Sequence, residues 1–389
     1  MRILIVGAGV MGLSAAEALT SAGHRVFVYE QGQIPHEPAS SVDQHRLIRY
    51  PYGDQDGYAR LVAPAYAAWD RLWQRLGRSH YIETGTLVAS QGVASGGEAA
   101  WLERSAAGLE RIGQPFERLD AAALAARFPL LNSLPGDHGL YLASGGMLLA
   151  RPILENLAAR ITQLGGGLFP RGRVTAVDSA QARVTFSDGT SSSGDLVIVT
   201  AGPWLADLLP DLAARVTPSR QAYAYLEPPA ETRAAWARHP MLLDIGGSDS
   251  DSGFYLVPPA AGTAMKIGDH SFSLSGHPDH DRAGRPADVA QSLAVAARHL
   301  VGFERYRVSH IGTCFYTVAE GERFIAEPRG AAWILTGFSG HGFKFAPLIA
   351  EALAEVIAGR RAAADFSNWI AGHWISDRPG AMQDAAPPV

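Results

Sequence analysis

Three glycines in "GAGVMG", Gly7, Gly9 and Gly12, restrict the fold of this chain more than any other feature. They follow a short apolar run, Ile3 to Val6, and open an Ala- and Leu-rich helical stretch. Gly23 marks where that helix stops, before a second apolar strand from Val26 to Glu30. Strand, glycine turn, helix and strand make a βαβ unit. In such a unit the first glycine permits the tight turn, the second lets backbone approach a pyrophosphate, and the third lets helix pack on strand. Glu30 ends the second strand 18 residues after Gly12, where a carboxylate accepts hydrogen bonds from an adenosine ribose. The pattern predicts dinucleotide binding but does not choose between nicotinamide and flavin, which share it.

Two later stretches repeat the theme. "GDLVIVTAGPWLADLLPDL" places Ala201-Gly202-Pro203 after a strand from Leu196 to Thr200. "AAWILTGFSGHGFKFAPLIAEALAEVI" places Gly337, Gly340 and Gly342 between a strand from Trp333 to Thr336 and an amphipathic helix from about Pro347. A nicotinamide-binding domain is usually one block, so pieces at the start, middle and end of the chain predict a sheet interrupted by insertions. A length of 389 residues points to two domains. The intervening segments "YIETGTLVAS", "GFYLVPP" and "TAMKIGDH" read as short strands of an antiparallel sheet, and "SDGTSSSGD" as a hairpin turn.

A net charge of -5 excludes the broad basic footprint of a nucleic-acid binder. The first 23 residues superficially resemble a signal peptide, but the glycine spacing explains the run better. No stretch of 18 apolar residues suggests a membrane span, so the expectation is a cytoplasmic protein with small-molecule partners. The single cysteine, Cys314, cannot form an intrachain disulfide. On its own it reads as a small buried hydrophobe.

Taken together, "GAGVMG", "HRLIRYPYGD", "TGTLV", "SGGML", "VTAGPW", "MKIGDH", "CFYT" and "GFSGHGFKF" resemble the flavin-dependent amine oxidases of the D-amino-acid-oxidase superfamily. The specific resemblance is to the branch of sarcosine oxidase, N-methyltryptophan oxidase and pipecolate oxidase, nearly end to end. It implies an α/β fold in which a Rossmann-like FAD-binding domain carries an inserted α+β substrate domain on an antiparallel sheet. The expected FAD-binding pieces are residues 1–80, 146–212 and 311–372; the substrate domain is 81–145 and 213–310; residues 373–389 form a tail.

The resemblance also implies roles. Cys314, opening a C-x-Y-T stretch, matches the cysteine bonded to the flavin 8α carbon, although "VAEGERF" stands where the family often has an Asp. Arg49 and Lys344 match a pair of cations that hold the substrate carboxylate. Arg46 matches an arginine at the flavin face, and Lys266 a lysine that promotes reaction with oxygen. His270, Tyr255 and Tyr316 match active-site residues, while His45 is assigned no role. Cofactor contacts are implied for Gly7, Gly9, Val10, Met11, Gly12, Glu30, Arg46, Val174, Ala201, Gly202, Trp204, Cys314, Gly340, Gly342, Phe343 and Lys344, and a metal for none. The expectation is therefore a monomeric flavoprotein oxidase of a small secondary amino acid that releases hydrogen peroxide. The alternatives are a dehydrogenase of the same fold with a quinone or protein acceptor, a nicotinamide-dependent dehydrogenase, and a binding role without catalysis.

Overall fold

A computed structural model describes residues 1–90, 97–133, 136–246, 253–269 and 271–373. The βαβ unit forms as the glycine pattern requires: strand Arg2–Val6, helix Val10–Ser21 and strand Arg25–Glu30, with the two strands parallel. They lie in a six-stranded sheet ordered Ile325–Arg329, Ala332–Thr336, Leu196–Val199, Arg2–Val6, Arg25–Glu30, Gly167–Pro170. Every pairing is parallel except that of the first two strands. Ile3, Leu4, Ile5, Val197, Ile198 and Val199 are fully buried, as expected of central strands covered on both faces. On one face helix Val10–Ser21 packs between helices Ala150–Gln163 and Ala346–Ile357. A small antiparallel sheet, Val174–Asp178, Arg183–Phe186 and Ser191–Ser193, contributes Val184 and Phe186 to the core of the other.

The second large sheet has eight strands, ordered Arg307–Ala319, Val216–Glu227, Met265–Gly268, Phe254–Val257, Met241–Asp244, Thr86–Ser90, His138–Leu142, Glu117–Asp120. It is antiparallel apart from the pairing of Met241–Asp244 with Thr86–Ser90. "YIETGTLVAS", one strand-like run in the sequence, splits at Thr84-Gly85. Its first half, Tyr81–Glu83, joins Gly146–Leu148 and Arg46–Ile48 in a separate three-stranded sheet. Gly85 has φ +76°, a turn conformation that lets the chain leave one sheet and enter the other. Helix Asp56–Leu76 keeps Pro64 within it and buries Trp69 and Trp73 on its inward face. The tail from 374 lies outside the described residues.

Gly12 makes the close approach of helix to strand visible. A Cβ there would fall inside the radius of the Gly7 carbonyl oxygen and 2.7 Å from Thr200 Oγ1. Gly7 has φ +99°, and a Cβ on it would lie 2.5 Å from the Thr200 carbonyl. Gly12→Ala must therefore push the helix off the sheet. The expected loss is about 1–3 kcal/mol, read as a lowered midpoint in denaturant unfolding.

Candidate active site

Two cavities meet between the large sheets. The first, of about 370 Å³, is lined by Gly7, Gly9, Val10, Met11, Glu30, Val174, Ala201, Gly202, Trp204, Gly340 and Gly342. Sequence reading assigned all of these to the dinucleotide; Gly12 instead lies behind the wall, against Gly7. Helix Val10–Ser21 points its N-terminus here, where first-turn N–H groups lack intrahelical acceptors and the dipole favours anions. Glu30 is buried and accepts from Ala8 N–H at 2.8 Å and Gly32 N–H at 3.2 Å, which leaves acceptor capacity on its carboxylate for ribose hydroxyls.

The second cavity, of about 660 Å³, is lined by Arg49, Tyr52, Tyr255, Lys266, Cys314 and Lys344, with Trp101, Leu243, Ile245 and Phe272 supplying apolar surface. Arg46, Tyr316, Ser339, Gly340 and Phe343 line both cavities and form their common wall. The local reason is strand alternation. In the 13-residue strand Arg307–Ala319, Cys314 and Tyr316 project to one face while buried Phe315 takes the other. Cys314 pairs across to Gln221 and Lys266 to Tyr225, so thiol and amine come from strands flanking the same partner. Gly340, at φ +81°, leaves no room for a Cβ against the Tyr316 ring, and this keeps its loop tight to the wall. His270 lies outside the described residues.

The junction is organised by a residue that sequence reading missed. Asp43 has a side chain 1% exposed and engages four donors. Its Oδ2 accepts from Lys266 Nζ at 2.5 Å and from Arg46, and its Oδ1 from Gln44 N–H at 2.7 Å and from the Tyr225 hydroxyl. Burial by itself raises the Asp43 pKa, but Lys266 and then Arg46 more than reverse this and hold it below the usual carboxylate range. Arg46 also donates to the Ser40 carbonyl at 2.5 Å and the His45 carbonyl at 3.0 Å. Burial lowers the Lys266 pKa and Asp43 offsets this only in part, and Lys266 Nζ sits 3.9 Å from the Tyr223 ring centroid. Two cations against one carboxylate leave the junction positive. Burial also raises the Cys314 thiol, with Arg46 and Lys266 opposing. His45 is buried beside this cluster, its pKa pushed down to about 4 by burial and then by Lys266, so it is neutral.

Lys344 is arranged differently. It is 4% exposed, its Nζ donates to Tyr52 Oη at 2.9 Å, and Nζ lies 4.8 Å from the Tyr52 ring centroid. Arg49, whose Cζ is 5.2 Å from the same centroid, donates to the Pro51 carbonyl. Burial, and then Arg49, push the Lys344 amine well below the ordinary lysine value. One signal in the sequence finds these residues without geometry. The chain has 31 arginines but only two lysines, Lys266 and Lys344, and both are buried in this cavity. Where nearly every other cation is arginine, a lysine stands out as a compact, titratable amine.

Among the described residues there is no cluster able to hold a metal ion, and no helix is long and apolar enough to cross a membrane. A family model described as FAD dependent oxidoreductase matches residues 2–356. N-methyl-L-tryptophan oxidase of Yersinia pestis (strain Pestoides F) is 27% identical over 365 residues, covering 90% of this chain and 93% of that protein. The protein of that name from Yersinia pseudotuberculosis serotype O:1b (strain IP 31758) matches equally. Among solved structures, NikD, an unusual amino acid oxidase essential for nikkomycin biosynthesis, is similar with TM-score 0.80. It has 21% identity, with 94% of this chain and 96% of that one covered. Amadoriase I of Aspergillus fumigatus, a fructosyl amine:oxygen oxidoreductase, is similar with TM-score 0.78, 17% identity and coverage of 95% and 89%.

Removing Asp43 leaves two buried cations without their carboxylate. Asp43→Ala is expected to cost about 3–5 kcal/mol in denaturant unfolding at neutral pH. Adding Lys266→Met to that variant should recover part of the loss, because one uncompensated charge goes with it. A depressed carboxylate pKa stabilises the fold above the unfolded pKa and ceases to do so on acidification. The difference between wild type and Asp43→Ala should therefore shrink as pH falls below about 4.

Proposed function

The chain belongs to the DAO family of FAD-dependent oxidoreductases, and from that premise we propose that it oxidises the C–N bond of a secondary amino acid, N-methylated or cyclic, to an imine. Oxygen is the acceptor and hydrogen peroxide the second product. The family assignment removes the nicotinamide alternative. Bound FAD supplies the acceptance of hydride from the substrate carbon and the return of electrons to oxygen. The protein supplies position and charge.

The observation that carries this reading is the pair Arg49 and Lys344, both against the Tyr52 ring, in a cavity that shares its wall with the glycine-lined one. Two donors on one carboxylate fix the orientation of an amino acid and set its amine toward the wall formed by Arg46, Tyr316 and Gly340. Trp101, Leu243, Ile245 and Phe272 offer apolar contact to a bulky side chain, which agrees with the name of the Yersinia relatives. Cys314, lining the same cavity, is the residue to bond FAD through a thioether at the 8α carbon. Lys266 is the cation to favour transfer of electrons to oxygen. One observation supports a dehydrogenase of the same fold as the second reading: the Lys266 charge is already offset by Asp43. The expected setting is cytoplasmic and the expected state a monomer.

Three measurements test the reading. A panel of N-methyl and cyclic amino acids should release peroxide, and Lys344→Met should weaken binding of the preferred substrate by roughly ten- to a hundredfold while leaving its decarboxylated amine nearly unaffected. Parallel loss for both compounds argues for damage to the flavin site rather than loss of carboxylate recognition. In stopped flow, Lys266→Met should keep anaerobic flavin reduction and slow reoxidation by oxygen; reoxidation that is slow in wild type and unchanged in the variant favours the dehydrogenase. Finally, yellow colour should stay with acid-precipitated wild type and wash out of Cys314→Ser.

A further inference from the structure

The two lysines of this chain occupy one cavity yet have opposite electrostatic company. Lys266 Nζ is 2.5 Å from the buried Asp43 carboxylate. Lys344 Nζ has, among the described residues, no carboxylate within ion-pair distance; its partner is the neutral Tyr52 hydroxyl, and its cationic neighbour is Arg49. The groups around it are Tyr52 and Arg49 from the segment after strand Arg46–Ile48, and His341 from its own loop. His341 is neutral, its pKa pushed down to about 3 chiefly by burial, and its Nδ1 lies 3.3 Å from Tyr52 Oη. Glu322, at the end of the preceding turn, lines the same cavity and offsets Arg49 rather than Lys344. A buried amine beside a guanidinium and without a counter-ion favours its uncharged form.

We propose that Lys344 rests as a neutral amine and takes the proton from the substrate's ammonium group as the substrate enters, so that the carboxylate-binding cation and the reactive free amine are made in one step. This rests on the reading of Arg49 and Lys344 as the carboxylate-binding pair. The step balances: a zwitterion, R₂NH₂⁺–CHR–COO⁻, and Lys344 –NH₂ become R₂NH–CHR–COO⁻ and Lys344 –NH₃⁺, with no proton exchanged with solvent. The incoming carboxylate is the counter-ion that the resting site lacks, and it raises the affinity of Lys344 for that proton. The lone pair left on the substrate nitrogen is what C–N oxidation requires. Lys266, held with Asp43, takes no part in this transfer and serves as an internal control.

With only two lysines, FAD-loaded enzyme made with lysine carrying ¹³C at Cε and ¹⁵N at Nζ gives two side-chain signals, assigned by Lys266→Met. The expected result at pH 8 is that Lys344 has the shifts of a free amine. Saturation with (methylthio)acetate, which has the carboxylate but no ionisable amine, should move it to those of an ammonium. Calorimetry of the same ligand in two buffers of different ionisation enthalpy should find uptake of about one proton per site, absent in Lys344→Met. Its affinity should fall about tenfold per pH unit above the Lys344 pKa. A Lys344 already charged in ligand-free enzyme, or ligand binding without proton uptake, overturns the inference and leaves the carboxylate pair standing. Equal affinity of (methylthio)acetate for wild type and Lys344→Met overturns the carboxylate pair, and the inference with it.

Discussion

A single buried carboxylate joins three parts of this molecule. Asp43 sits in the segment that follows the βαβ unit, Arg46 begins the small three-stranded sheet, and Lys266 and Tyr225 come from neighbouring strands of the eight-stranded sheet. Taking such charges out of water is costly, and the arrangement persists because every acceptor position on Asp43 is used. The hydrogen bonds therefore tie the eight-stranded sheet to the segment beside the glycine-lined cavity. They also fix where positive charge stands at the common wall. Shape and electrostatics of the junction follow from one interaction.

The second dependence is on strand register. The long pairing of Val216–Glu227 with Arg307–Ala319 places Ser219 opposite Tyr316 and Gln221 opposite Cys314. A one-residue slip would turn Cys314 and Tyr316 away from the cavity and bring Phe315 into it. Phe315, fully buried on the opposite face, resists that slip. The thiol is thus aimed by the packing of its neighbour.

Local features of this fold are legible in the sequence, and long-range ones are not. The βαβ unit can be read because its glycines, apolar runs and terminal acid lie within 30 residues, each with a local steric or hydrogen-bonding reason. The break inside "YIETGTLVAS" is harder to see, since Thr84-Gly85 looks like a turn inside one strand pair rather than a passage between two sheets. Arg46, Arg49, Cys314 and Lys344 can be named from a family resemblance, but Asp43 cannot. Its partners Tyr225 and Lys266 are 182 and 223 residues away, and an aspartate near a polar turn ordinarily reads as solvated. The scarcity of lysine is the exception: a count over the whole chain that identifies both buried amines with no structural input.

That scarcity reaches beyond the reaction. Both lysines are about 5% exposed or less, so the folded protein presents no lysine amine to solvent. Reagents that acylate or crosslink lysine and are too large to enter the cavity find their targets only when the interior opens. The extent of lysine labelling over time therefore measures the population of opened molecules, and the cavity itself becomes the reporter of the protein's own unfolding.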